Sequence, residues 1–103
     1  MTIIHFSHAN GFPSKTYSIL FDFLKEYHVT SIDVLGANKK PEEIDWVNLS
    51  EEIIESVKEL NRPVVGVGHS LGGILTLLAA AKEPKMFESV ILLDPPIFSP
   101  LKR

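Results

Sequence analysis

The chain has 103 residues, which is enough for one domain: scaling laws put its accessible surface at roughly 5,800 Å² folded against roughly 16,700 Å² unfolded, so about 65% is buried in one modest core. Apolar residues make up 45% and charged residues 22%, a balance that excludes a disordered chain. A net charge of −3 excludes a basic nucleic-acid footprint, and the absence of cysteine excludes disulfide staples, thiol catalysis and cysteine metal sites. The longest apolar stretch, residues 74–81, is too short to span a bilayer. The N-terminus lacks the charged and apolar regions of a signal peptide. A cytoplasmic protein with no membrane or nucleic-acid partner is expected.

The predicted elements alternate along the chain. Residues 2–7 are a short apolar run with β-branched members and read as a strand. His8-Ala9-Asn10-Gly11-Phe12-Pro13 follows as a loop, marked by Asn-Gly and Pro. Ser14 is placed to cap a helix over 14–26, in which Tyr17, Leu20, Phe21 and Leu24 share one apolar face. Residues 29–34 alternate as a second strand, and 35–43 form a polar loop. Asp45 caps the next helix, whose apolar stripe is Trp46, Leu49, Ile53, Val57 and Leu60. Pro63 opens a third strand over 64–67. Residues 68–72 read as a turn and 73–83 as a helix closed by Pro84. A fourth strand over 90–93 ends at Asp94-Pro95-Pro96. Phe6, Trp46 and Phe87 read as core residues, His5 as a strand-packing residue and His28 as a surface one.

The order βαβαβαβ predicts an α/β fold, a parallel sheet of about four strands with flanking helices in a single domain over 1–103. The continuous apolar strands agree, because parallel strands are buried on both faces. The first and third strands precede the two glycine-bearing loops. If the second and third strands lie on opposite sides of the first, both loops meet at the switch point where ligands bind.

Gly68-His69-Ser70-Leu71-Gly72 matches G-x-S-x-G after an apolar strand and before a helix, the context this motif requires. A sharp strand-to-helix turn crowds the backbone around the serine, and Gly68 and Gly72 supply the small neighbours. The helix N-terminus aims backbone N–H groups at the same spot, where they stabilise a developing oxyanion. The bland alternative is that Ser70 simply caps the helix. The loop at 8–13 is where a second oxyanion donor would arise: Gly11 permits a backbone conformation that aims an N–H inward, and Pro13 stiffens the exit. Its alternative is an ordinary strand-to-helix connection. The glycines at 66, 68 and 72 also partly imitate a dinucleotide fingerprint, but at the spacing G-x-G-x-x-x-G. No cofactor and no metal is expected.

With these residues in view, the chain resembles the α/β-hydrolase superfamily, in particular a cytoplasmic branch of serine hydrolases and esterases with a His-Ala-Asn-Gly-Phe-Pro loop. The matching pieces are His8 to Pro13, Gly66-Val67-Gly68-His69-Ser70-Leu71-Gly72-Gly73 and Leu92-Leu93-Asp94-Pro95-Pro96. The resemblance implies Ser70 as nucleophile, with the backbone N–H groups of Leu71 and Phe12 as oxyanion donors. It implies an ester, thioester or similar small acyl substrate. His8, Asn10, Gly11 and His69 would support the loops, and His8, at the start of the neighbouring loop, is the histidine of this chain that could otherwise approach Ser70 as a base. Asp94 reads either as the acid of a triad or as a cap on the following turn, and Asp33 is a weaker acid candidate.

One departure is plain. In this superfamily the triad follows the order nucleophile, acid, histidine, and no histidine follows Ser70. His5, His8, His28 and His69 all precede it, and the chain looks like the N-terminal portion of a hydrolase, without the lid and acyl pocket that set specificity. Two functions therefore compete. One is a serine hydrolase whose base comes from elsewhere. The other is a catalytically inactive half-domain, or a binding or oligomerisation scaffold. The strand edge between Val90 and Leu93 is a candidate surface for a second copy or a complementing chain.

Overall fold

The computed structural model describes residues 2–95; Pro96, read above as part of the turn after the fourth strand, lies outside them. Four parallel strands, β1 (Ile3–Ser7), β2 (His28–Ser31), β3 (Val64–His69) and β4 (Phe87–Leu93), form one sheet in the order β2-β1-β3-β4. They are joined by α1 (Ser18–Phe23), α2 (Trp46–Lys58) and α3 (Leu71–Lys82). The chain steps outward from β1 to β2, then crosses back over β1 to β3. Right-handed crossovers therefore place α1 on one face and α2 with α3 on the other. The winding reverses between β1 and β3, so the loops leaving these two strands meet at the carboxyl edge of the sheet.

Each face of the sheet has its own core, because successive side chains of a strand point to opposite faces. Ile4, Phe6 and Val67 meet Tyr17, Leu20, Phe21 and Leu24 on the α1 side. Ile3 and Val64 meet Leu49, Ile53, Ile54 and Val57 of α2 and Leu75 and Ala79 of α3 on the other. Burying a side chain of this size stabilises the fold by about 1.5–3 kcal/mol. Asp45 caps α2 as expected, its Oδ1 accepting the Asn48 N–H at 2.7 Å. An ion pair between Lys82 and Glu51 ties the end of α3 to α2. No helix among the described residues is long and apolar enough to cross a membrane.

Several boundaries differ from those expected. The segment after Pro13 is a 3-10 turn (Ser14–Tyr17) followed by only six residues of α-helix. Ser14 does not cap it. Its hydroxyl donates to Ile32 O at 2.6 Å and its N–H to Asp33 O at 3.0 Å, so Ser14 pins the β1 loop to the exit of β2. β4 starts at Phe87 rather than Val90. The five-residue turn expected at 68–72 shrinks to Ser70 alone: β3 runs to His69 because Gly68 and His69 still pair with Leu92 and Leu93, and α3 starts at Leu71. Trp46, expected in the core, is 44% exposed.

Candidate active site

Ser70 carries the sharpest backbone feature of the chain, φ 54° and ψ −119° between β3 and α3. A non-glycine residue in the left-handed region costs of order 1–3 kcal/mol and persists only where its surroundings hold it. Three backbone hydrogen bonds hold this one. The Ser70 N–H donates to Leu93 O at 2.9 Å, and Ser70 O accepts from Gly73 at 2.9 Å and from Ile74 at 3.3 Å. The side chain makes no capping hydrogen bond, which overturns the bland alternative for this serine.

The flanking glycines are required by close approach. A Cβ on Gly68 would stand 2.5 Å from Gly73 Cα and closer to the Gly72 carbonyl oxygen, and a Cβ on Gly72 would collide with the backbone carbonyl groups of Ser7 and His8. A Cβ on Gly66 would meet Thr76 Cγ2 at 2.8 Å and the Phe87 ring. These glycines thus serve strand-to-helix packing, which explains their imitation of a dinucleotide fingerprint.

The loop after β1 is braced on every side. His8 is buried with both ring nitrogens engaged: Nε2 accepts the Leu35 N–H at 2.8 Å, which leaves Nδ1–H to donate to Ala9 O at 2.7 Å. Ala9 N–H donates to the Tyr17 hydroxyl at 3.0 Å, and that hydroxyl also bonds His69 Nδ1 at 2.8 Å. Tyr17 thereby joins this loop to the serine turn. Its ring had the signature of a core residue, and its centroid does lie 4.5 Å from that of Phe6. Nothing in the local sequence marked its hydroxyl, whose partner is 52 residues away. Ala9 O accepts the Phe12 N–H at 3.1 Å, closing a turn with Gly11 at φ 83°, the value a type II turn demands at its third position. The Phe12 N–H is therefore aimed into its own turn, and it has to leave Ala9 O to serve an oxyanion.

The four histidines are accounted for. His69 leans on Tyr17 with ring centroids 5.7 Å apart, and His28 is exposed at the start of β2, at the opposite end of the sheet. His5 is buried against α2, its Nε2 bonded to Ser56 Oγ at 2.8 Å, and burial lowers it to about 4. Among the described residues none of them hydrogen-bonds the Ser70 side chain. Asp94 directly follows Leu93, the last residue of β4, which pairs with His69. It is exposed, has φ 48° and caps nothing among the described residues. Asp33 leaves β2, with β1 between it and the serine strand.

A cavity of about 290 Å³ opens next to the elbow. Leu71 and Leu75 of α3, Leu49 and Trp46 of α2, and Leu35 and Ile44 line it, with His8, Asn10 and Asp45 as its polar members. Leu71, the residue after the serine, is the point where this cavity comes nearest to the serine turn in sequence. Leu35 is fixed there by the His8 bond and by the next residue, Gly36, whose N–H reaches Glu52 at 3.1 Å.

A serine on a left-handed strand-to-helix turn at the carboxyl edge of a parallel sheet has the backbone geometry that hydrolase folds use at their serine turn. Residues 6–102 match the alpha/beta hydrolase family, and the chain belongs to that family. It is 28% identical over 108 aligned residues to a type I acyl-CoA thioesterase of Penicillium brevicompactum, covering 86% of this chain and 25% of the relative. It is 32% identical over 77 residues to a lipase of Mycobacterium tuberculosis, covering 72% of this chain and 30% of the relative. Among solved structures it superposes on a monoacylglycerol lipase of Paleococcus ferrophilus with a TM-score of 0.81 at 24% identity, covering 98% of this chain and 42% of that one. A deformylase of Pseudomonas putida gives 0.82 at 24% identity, covering 99% and 42%. The chain thus spans about a quarter of the thioesterase and about two fifths of the solved hydrolases.

Proposed function

We propose that this chain carries the nucleophile and the oxyanion site of a serine hydrolase acting on carboxylic esters, thioesters or similar acyl compounds. The observation that carries the reading is Ser70: a strained backbone, held by three hydrogen bonds, presents a hydroxyl that is not used for capping. In this reading Ser70 Oγ attacks the acyl carbonyl and the Leu71 N–H takes the developing oxyanion. A second donor comes from the Ala9–Phe12 turn, either the Phe12 N–H after it leaves Ala9 O or the amide of Asn10, which lines the same cavity as Leu71. In this reading Asp94, one residue past the end of β4, serves as the acid of a triad. The general base has to come from outside these 103 residues, in a complementing chain or in further sequence.

The absence of any histidine after Ser70, and the engagement of both His8 ring nitrogens in bracing the loop, favour a second reading for the chain on its own, a half-domain that binds acyl compounds without turning them over. In serine proteases, loss of the triad histidine lowers kcat by about 10⁶, and the oxyanion site retains about 10³–10⁴ over water. The test is intact mass after incubation with a fluorophosphonate, with Ser70→Ala as control and circular dichroism as the check on folding. A single adduct absent from the variant supports an armed nucleophile. A folded chain that takes no adduct supports the binding half-domain.

A further inference from the structure

We propose that Tyr17 is a positioning residue of this site: its hydroxyl, bound to Ala9 N–H and His69 Nδ1 together, fixes the loop after β1 against the serine turn and holds His69 in its Nε2–H tautomer. The inference rests on the hydrolase reading of Ser70 and deepens it, because it names what keeps the two oxyanion donors in one frame. The ladder between β1 and β3 ends at the pair Ser7 and Gly68. Past that pair one segment turns into the loop and the other into α3. The Tyr17 hydroxyl bridges this fork, with Ala9 N on one side at 3.0 Å and His69 Nδ1 on the other at 2.8 Å. Ala9 opens the turn that carries Asn10 and Phe12, and His69 directly precedes Ser70 and Leu71.

Counting hydrogens gives the tautomer. A phenol has one hydrogen to donate and lone pairs with which to accept, whereas a backbone N–H only donates. The Tyr17 oxygen therefore accepts from Ala9, and its own hydrogen goes to His69 Nδ1. That nitrogen carries a lone pair, and the neutral ring keeps its hydrogen on Nε2. The phenol is a rigid post. Its ring centroid lies 4.5 Å from that of Phe6 and 6.4 Å from that of Phe21, and the 3-10 turn that bears it is closed by Thr16 N–H on Pro13 O at 2.8 Å. Ala9 is clamped through its other peptide as well, since His8 Nδ1–H donates to Ala9 O at 2.7 Å. When the Phe12 N–H leaves Ala9 O, that carbonyl keeps a donor and Ala9 keeps its place, so the movement is confined to residues 10–12.

Tyr17→Phe removes the hydroxyl and keeps the ring. Phe21→Leu loosens the same ring cluster and keeps the hydroxyl. Two measurements on the parent and both variants test the proposal. The first is the pair of ring nitrogen resonances of His69, recorded by NMR at a pH where the imidazole is neutral. The parent should show an unprotonated Nδ1 and a protonated Nε2. In Tyr17→Phe the two resonances should draw together as the tautomers exchange, and in Phe21→Leu they should stay apart. The second is the rate of adduct formation at Ser70 with a fluorophosphonate, whose phosphoryl oxygen takes the place of the oxyanion. Tyr17→Phe should slow it about tenfold, short of the ~10²-fold or more that loss of a donor itself costs, and Phe21→Leu by less than about twofold. His69 resonances unchanged in Tyr17→Phe overturn the proposal. So does an adduct rate equal in the parent and Tyr17→Phe, or one that falls alike in both variants, which reduces Tyr17 to a packing residue. A parent that takes no adduct, with the His69 resonances shifting only in Tyr17→Phe, removes the hydrolase reading and supports the Tyr17 bridge.

Discussion

Gly72 offers the most direct test of how the elbow is built. It is the second residue of α3 and lies against the end of β1. In Gly72→Ala the new methyl would stand 2.6 Å from the carbonyl carbon of Ser7, and nearer still to the oxygens of Ser7 and His8. All three atoms are backbone, so no side chain can rotate away. Carbon atoms in contact prefer about 3.5–4.0 Å, so α3 must lift from β1 by about an ångström. Overpacking costs about 1–3 kcal/mol and occasionally more. A backbone clash takes the upper end of that range, and better helix propensity returns about 1 kcal/mol. A net loss of about 2 kcal/mol is expected, out of about 5–15 kcal/mol for a chain of this length. With a urea slope near 1 kcal/mol/M, the unfolding midpoint falls by about 2 M. Gly73→Ala is the control: its methyl would meet Gly68 O at 3.1 Å and Leu92 Cδ2 at 3.5 Å, a fit that small shifts relieve. It should unfold within about 1 kcal/mol of the parent. Equal urea midpoints for the two variants would refute the close-approach argument.

Three further outcomes are expected. Burial holds His5 at about 4 against an ordinary 6.5. Between those values the unfolded chain binds the extra proton, so stability falls as the pH drops through that window, by about 3 kcal/mol in all; urea unfolding of His5→Gln across the same range should show a flatter slope, and an equal slope would argue against it. Tyr17→Phe keeps the ring contacts but strips the partner from Ala9 N–H and His69 Nδ1; a loss of about 1–3 kcal/mol should come with faster hydrogen exchange at the Ala9 amide, and unchanged exchange would deny the bridge. The outer edge of β4 is unpaired among the described residues, and its Ile91 and Leu93 are exposed; self-association through this edge should appear in sedimentation and weaken in Ile91→Lys, whereas a monodisperse parent at high concentration would count against it.

The alternation of elements and the serine turn were legible because each rests on a local signal. The stripe of α2 has a helical period, Asp45 stands just before it, and the Gly-x-Ser-x-Gly spacing encodes its own steric demand. What escaped the sequence depends on distant partners. Ser14 looked like a cap, but the exit of β2 claims its hydroxyl. The hydroxyl of Tyr17 was invisible behind an apolar ring. Trp46 fitted the helical stripe, yet it sits in the first turn of α2, beyond the edge of the core. The start of β4 was hidden because Glu88 and Ser89 lie on an exposed stretch where apolar periodicity breaks.

The hydrogen bond from Ser70 to Leu93 O has a mechanical meaning. It makes an outermost strand the latch of a spring. Edge elements open locally with less free energy than central ones, and each time the end of β4 frays, the left-handed backbone of Ser70 is free to relax toward an ordinary conformation. The strained backbone of Ser70 is then held no more firmly than β4 itself. Whatever zips onto that strand tightens the latch, so the backbone conformation of the serine can be set from the rim of the sheet, without any contact to the serine itself.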